Sequence, residues 1–211
     1  MAPPINPSRH HLQEFAREAA SQGADKSFKV LDVGAAQGPY RELFSHVTYE
    51  TTDLKDFGNV DHVCDITNLP MEDDTYDLVF CSQVLEHVRE PLKALREIRR
   101  VLKPGGEAWL SAPLFYQEHQ MPLDFFRYTR SAWRHLARRS GFEIRDIAWL
   151  EGAYGTTSYQ LHMAARVLPR RMRLQRFLLM RLSRQMARLD LHERVTDRGM
   201  CKNYRVRLAK P

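Results

Sequence analysis

Three carboxylates set among glycines and apolar runs are the residues best suited to hold a ligand: Asp32, Asp53 and Asp65. Asp32 opens the segment Asp32-x-Gly34-x-Ala36-x-Gly38. Glycine tolerates backbone conformations that other residues avoid, and it lets a ligand come close to the main chain. A dinucleotide fingerprint starting at Gly34 would need glycine where Ala36 and Pro39 stand, and no Gly-Lys-Ser/Thr completes a phosphate-binding loop. Asp53 follows nineteen residues after Gly34. A carboxylate at a strand end can accept two hydrogen bonds from a ribose diol. Asp65-Ile66 offers an acceptor for the exocyclic amine of adenine and an apolar wall for its ring.

These residues can act together only if one scaffold brings them to one edge. Asn6 caps a first helix with Pro7 at its first position, and Gly23 stops it. Phe28–Val33 reads as a buried strand breaking into the glycine segment, and Pro39 opens a short helix to about Ser45. Strands follow at Val47–Thr52, at His62–Cys64 and at Tyr76–Cys81, the last almost wholly apolar as in a central parallel strand. Pro91–Leu102 is a helix with Leu92, Leu95, Ile98 and Leu102 on one face, stopped by Lys103-Pro104-Gly105-Gly106. Glu107–Ser111 is a further strand, and Thr129 or Ser131 caps a helix that Gly141 ends. Phe142–Trp149 and Tyr204–Ala209 are the last strands. Strands alternating with helices imply a parallel sheet covered on both faces, with ligands at the carboxyl ends of the strands.

The chain has 211 residues, 43% hydrophobic and 27% charged, enough for one α/β domain. No apolar run approaches the roughly 18–20 residues of a membrane span, and residues 1–7 contain no segment resembling a signal peptide. Cys64, Cys81 and Cys201 have no metal-ligand spacing and suit small buried hydrophobes in a reducing cytoplasm. No metal is expected.

The ordered series is more specific than any of its parts. It comprises the glycine loop, Asp53, Asp65, then Tyr76-Asp77-Leu78-Val79-Phe80-Cys81-Ser82-Gln83-Val84-Leu85-Glu86-His87-Val88, then Val101-Leu102-Lys103-Pro104-Gly105-Gly106. In this series the chain resembles the class I S-adenosylmethionine-dependent methyltransferases, in particular the type 11 methyltransferase family, from about Phe28 to Trp149. Gln120–Thr129 and Asn203–Pro211 are similar to segments of one branch of it. The resemblance implies a Rossmann-like, doubly wound α/β fold with a mostly parallel seven-stranded sheet and an antiparallel last strand. It implies one domain over 1–211: an N-terminal helix within 1–27, a cofactor-binding core over 28–152, a basic helical insert over 153–202 and a last strand over 203–211. The implied cofactor is S-adenosylmethionine, with Gly34, Ala35, Ala36 and Gly38 under its methionine part and Asp32 near the ammonium. Asp53 and Leu54 would face the ribose, Asp65 and Ile66 the adenine, Ser82 and Gln83 the sulfonium end. Family members usually carry glycine where Ala36 stands. The small methyl is expected to tighten the geometry without abolishing binding.

Methyl transfer from an activated sulfonium asks the protein for alignment, exclusion of water and deprotonation of the acceptor. His119 and His87 are the candidate bases, with Tyr116 beside them. Each histidine has a purely structural reading as well. Tyr116, Asp124 and Arg127 are candidate acceptor contacts, and Asp124 with Arg127 equally reads as an ion pair fixing a loop. Trp109 and Trp133 read as core.

Eight arginines and one acid lie between Gln160 and Asp190, a net +7 that leaves the rest of the chain near neutral. Helices over Ser158–Leu168 and Arg170–Leu191, split by Pro169, would display an apolar stripe of Leu174, Phe177, Leu178, Leu182, Met186 and Leu189. Three readings compete: a helix packed on the domain, a helix lying on an anionic membrane surface, and an RNA contact. The function expected is methyl transfer to an oxygen or nitrogen of a small molecule or glycan, with a lipid-linked saccharide or a secondary metabolite as instances, in the cytoplasm or peripherally at the inner membrane surface. The alternatives are an RNA methyltransferase and a non-catalytic cofactor-binding scaffold. Against RNA, no Asn-Pro-Pro-Tyr-type tetrad is present and no positive charge accumulates outside the insert.

Overall fold

A computed structural model describes residues 6–211. The expectation of no signal segment falls partly on residues 1–5, outside the described residues. The first helix, α1 (Pro7–Ala20), begins where Asn6 accepts the Arg9 backbone N–H on its side chain at 3.3 Å. Then come β1 (Lys29–Val33), β2 (Thr48–Asp53), β3 (His62–Val63), β4 (Tyr76–Ser82), a single 3-10 turn at Leu85–His87, and α2 (Pro91–Val101). The remainder is β5 (Leu102–Pro113), α3 (Arg130–Ser140), β6 (Glu143–Trp149), α4 (Ala153–Val167), α5 (Arg173–His192) and β7 (Asn203–Ala209).

The seven strands form one sheet in the order β3-β2-β1-β4-β5-β7-β6. β1 runs parallel to both β2 and β4, with Asp32 opposite Thr51 and Phe80. β4 runs parallel to β5. The end of β7 meets the start of β5 in the opposite sense: Gly105 N–H donates to Lys210 O and Lys210 N–H to Gly106 O, both at 2.9 Å. The order reverses between β1 and β4, so the crevice of this sheet lies beyond their carboxyl ends.

The chain groups into two compact units. One comprises 13–148 with 204–211, and the other joins the described residues up to Leu12 to 149–203. In the first unit Phe15, Phe80 and Trp109 form the buried centre, Phe15 lying 5.1 Å from Trp109 and 5.9 Å from Phe80 between ring centroids. Trp133 is buried against Tyr128. Cys81 and Cys201 are buried thiols, whereas Cys64 is half-exposed. Thr129 caps α3 by accepting the Ala132 N–H, and Gly141 closes it in the left-handed conformation at φ 79°.

Two local expectations need correction. No helix follows Pro39: the chain to Val47 is a series of turns whose N–H groups reach back three residues, as from Leu43 to Tyr40 and Phe44 to Arg41. Fourteen residues separate β1 from β2, and the glycine turn takes up the first five of them. The Lys103–Gly106 turn, expected between elements, is absorbed into β5, because Tyr76 pairs with Leu102 and Leu78 with Glu107, so the intervening residues bulge outward.

In the second unit α4 starts at Ala153, a turn and more before the expected Ser158. α5 packs on α4 through small residues rather than through its apolar stripe. The Ser158 hydroxyl donates to Ser183 O and the Ser183 hydroxyl to Ser158 O, both at 2.8 Å. Leu174, Phe177, Leu178 and Leu182 keep 67%, 54%, 55% and 43% of their surface exposed, so the stripe faces outward. Asp190, the single acid of the basic segment, is fully buried. One oxygen accepts the N–H groups of Gly152 and Gly155 at the start of α4 (2.9 and 2.8 Å), and the other meets His11 Nε2 at 3.0 Å. A carboxylate at a helix N-terminus is favourable, and a buried one stripped of its partners is costly. Asp190→Ala is expected to destabilise the protein by about 3 kcal/mol or more in urea unfolding. Asp190→Asn should cost less, since its amide oxygen still serves both glycines; equal losses in the two variants would contradict this account.

Candidate active site

The glycine segment leaves β1 at the point where the strand order reverses, and its backbone is tied to β2. Gly34 and Ala35 donate to Thr52 O at 2.8 and 3.0 Å, and Ala36 donates to Asp53 Oδ2 at 3.0 Å. Gly34 stands at φ 74°, where an added Cβ would lie 2.3 Å from a Val84 methyl. Glycine is required there by both the turn and the packing. Ala36 also sits in the left-handed region, at φ 48°. That conformation costs an alanine roughly 1–2 kcal/mol, and the hydrogen bond to Asp53 offsets part of it.

These bonds decide what the loop can hold. The N–H groups of Gly34, Ala35, Ala36 and Gly38 all have protein acceptors, and turns rather than a helix follow. With these four amides spent and no helix N-terminus following, the loop lacks the fan of free N–H groups and the dipole of a phosphate cradle. The groups around it are acceptors. Asp53 takes the N–H groups of Ala36 and Lys55, which leaves lone pairs for hydroxyl donors. Leu54 beside it is exposed. Asp65, exposed, closes a turn by accepting the Thr67 N–H at 2.8 Å, and Ile66 next to it is buried. This donor and acceptor set fits a ribosyl adenine carrying positive charge and does not fit a pyrophosphate.

Asp32 lies beneath this surface. It is 2% exposed and receives the Tyr49 hydroxyl. Burial pushes its carboxyl up to about 7, against the pull of that hydrogen bond. Burial and the Asp32 charge push the Tyr49 phenol up as well, keeping it a donor. Ser82 and Gln83 end β4 across the crevice. Gln83 is held at φ 59° with its N–H on Ser111 O, and the Ser111 hydroxyl contacts Ser82 Oγ at 2.9 Å and Gln83 Nε2 at 3.2 Å. Strain of this kind concentrates at functional sites. Ser111 and Tyr49 have no sequence signal beyond their strands.

The other candidates converge as well. The rings of His87 and His119 stand 4.7 Å apart, edge to face, and Tyr116 lies 4.8 Å from His119. Burial holds the His87 imidazole below its ordinary value, and its Nδ1 donates to Leu123 O. Of the two readings open for Asp124 and Arg127, the structure has the ion pair. Arg127 spends all five donors on Asp124 and on the carbonyls of Tyr116, Gln117 and Phe126, leaving none for an acceptor. Asp124, 1% exposed, also accepts the His119 N–H at 2.8 Å, and Arg127 holds its carboxyl well below the usual range. The pair therefore fixes the loop that carries Tyr116 and His119. Glu86, absent from the sequence candidates, is buried against these rings. Its only signal was an acid beside His87 and next to Val84-Leu85 after β4.

Residues 11–110 match the family model described as a methyltransferase domain. Over 117 residues the chain is 32% identical to the ubiquinone/menaquinone biosynthesis C-methyltransferase of Haemophilus ducreyi, covering 44% of this chain and 45% of that protein. It is 32% identical over 106 residues to the ubiquinone biosynthesis O-methyltransferase of Pseudomonas aeruginosa, covering 41% and 44%. The chain spans less than half the length of either of these relatives. Among solved structures, the cyclase SpnF superposes with a TM-score of 0.65 at 18% identity, covering 97% of this chain and 81% of that one. At that identity the likeness concerns the fold, and one fold serves several chemistries.

The buried Asp32 gives a pH test. Its folded value, about 7, lies above the unfolded value near 3.8. The folded state therefore binds the extra proton between those values, and stability falls as pH rises through that window. Wild type should lose a few kcal/mol from this group between about pH 4 and 7, and Asp32→Asn should flatten the decline in urea unfolding at pH 5 and 8. Parallel pH profiles for the two proteins would refute it.

Proposed function

We propose that the chain, whose residues 11–110 match the methyltransferase domain model, is an S-adenosylmethionine-dependent methyltransferase acting on an oxygen or nitrogen of a small molecule or glycan. The observation that supports the reading is the Ala36 N–H bond to Asp53, which holds that carboxylate against the glycine turn. S-adenosylmethionine, when bound, supplies a methyl carbon already activated for displacement. Asp53 would accept from the ribose hydroxyls, with Leu54 along the sugar. Asp65 would accept from the adenine amine, with Ile66 against the ring. Gly34, Ala35, Ala36 and Gly38 would pass under the methionine part, and Ser82 and Gln83 would line the sulfonium end. Asp32, buried beneath Tyr49, would act on an ammonium group through its charge rather than by contact.

On the acceptor side, His119 takes the role of base, with His87 and Tyr116 against it. The Asp124–Arg127 pair holds the loop in place. Calorimetric titration of the full chain with S-adenosylmethionine should give one site. Asp53→Ala should weaken it by about 10-fold or more, the scale of lost hydrogen bonds to a charged group. Heat-silent titration of the folded wild type would remove the assignment. Radiolabelled methyl transfer to fractionated cell extract then separates an enzyme from a binding scaffold, and a labelled RNA fraction would favour the nucleic-acid alternative.

The outward stripe of α5 supports peripheral contact with an anionic membrane through 160–190. Leu174, Phe177, Leu178 and Leu182 are exposed on a segment that carries eight arginines and hides its one acid. Basic amphipathic helices suit anionic headgroups, whereas exposed leucines gain little from a nucleic acid, and two copies of so basic a face repel. No helix of the described residues is long and apolar enough to cross a membrane. In flotation, vesicles containing phosphatidylglycerol should carry the protein and neutral vesicles should not; Leu178→Glu with Leu182→Glu should abolish it. Flotation insensitive to those changes would defeat the proposal.

A further inference from the structure

Glu86 poses a problem that methyl transfer as derived above does not answer. Its side chain is fully buried, and neither carboxylate oxygen has a hydrogen-bond partner. An unpaired polar group costs several kcal/mol when taken out of water, and an unpaired charge costs more. The nearest cation cannot relieve it, because Arg127 has committed all five donors to its own loop.

What does face Glu86 is a pair of imidazoles. His87 Nε2 lies 3.9 Å from Glu86 Oε1, beyond hydrogen-bonding reach, and it too is buried without a partner. Leu123 O can only accept, so His87 Nδ1 carries the proton and Nε2 presents a bare lone pair. His119 completes the group: one ligand atom from each of Glu86, His87 and His119 lies within 4.8 Å of the others. Both imidazoles are supported from behind. A backbone carbonyl fixes the tautomer of His87, and the Asp124 carboxylate lies 3.5 Å from His119 Nδ1 while anchored by Arg127. Histidines that bind metals are supported in this way, by a carbonyl or carboxylate on the other ring nitrogen.

We infer that Glu86, His87 and His119 form a binding site for one divalent transition-metal cation. Two imidazole nitrogens and one carboxylate suit zinc, manganese, iron or cobalt better than calcium or magnesium, which prefer oxygen ligands. Three protein ligands leave a further coordination position, as in catalytic rather than structural metal sites. The donors need to draw together, since ligands about 2.0–2.2 Å from one ion lie nearer one another than the widest separation here. The His119 side chain can provide that movement by rotating, since it is 22% exposed while its backbone stays anchored on Asp124. Binding does not depend on the methyltransferase reading. If that reading holds, the ion would bind an acceptor hydroxyl and lower its pKa, replacing His119 as the group that activates the acceptor, and the acceptor atom would be oxygen.

The test uses the full chain, stripped with a chelator and free of S-adenosylmethionine, so its failure is separate from failure of cofactor binding. Cobalt(II) titration followed by visible absorption should show one ion per chain with bands of nitrogen and oxygen ligation, and zinc should displace it. His119→Asn, a partly exposed position, should weaken binding by about 100-fold or more, the upper end of the loss for supporting groups, while the melting temperature without metal stays near wild type. Glu86→Gln should weaken it as much. If Glu86→Gln does not fold, His119→Asn alone decides. Absence of saturable binding, thiolate charge-transfer bands from the cysteines, or affinity unchanged in His119→Asn would each overturn the inference.

Discussion

The candidate site rests on one constraint: the turn after β1 is pinned to the end of β2 by three consecutive N–H groups, two on Thr52 O and one on Asp53 Oδ2. Those bonds take up three of the turn's N–H donors, and they hold the Asp53 carboxylate against the turn. They also explain how Ala36 is tolerated in a conformation suited to glycine. The parallel pairing of β1 with β2, register Asp32 to Thr51 and Val33 to Thr52, makes the geometry available. A slip by one residue would turn Asp53 to the other face.

The far side of the crevice is built on the opposite logic. There the charged groups serve one another before they serve a ligand. Arg127 and Asp124 close the loop 116–127 on itself, and the loop in turn delivers His119 and Tyr116 to His87. The buried Glu86 is left out of this accounting. Native interiors seldom leave a carboxylate without partners, and exceptions concentrate where a protein binds or reacts.

The basic segment follows a third rule. Two helices joined through Ser158 and Ser183 need only small residues between them, and this leaves their large apolar side chains uncovered. With Asp190 drawn inside to hold the start of α4, the surface left outside carries apolar and basic groups without a compensating acid. Internal economy and external character thus come from one arrangement.

The chain's periodicities determined the order of strands and helices, the glycine turn and the acids at strand ends, because alternation and punctuation are local properties. Asp53 could be singled out because its strand ends on it, and Asp65 because it follows the end of β3 by two residues. The same local reading misjudged the segment after Pro39, which closes as successive turns with N–H groups reaching back three residues instead of four. Between a packed α5 and an exposed one it could not choose, because a stripe records amphipathicity but not the neighbour it meets. Only the folded chain decided that Arg127 is exhausted within its loop, that Asp32 lies under Tyr49, and that Glu86 meets His119 across 33 positions. Those facts depend on which groups are brought together after distant segments pack, and hydrogen-bond partners and desolvation belong to that packing rather than to any stretch of sequence.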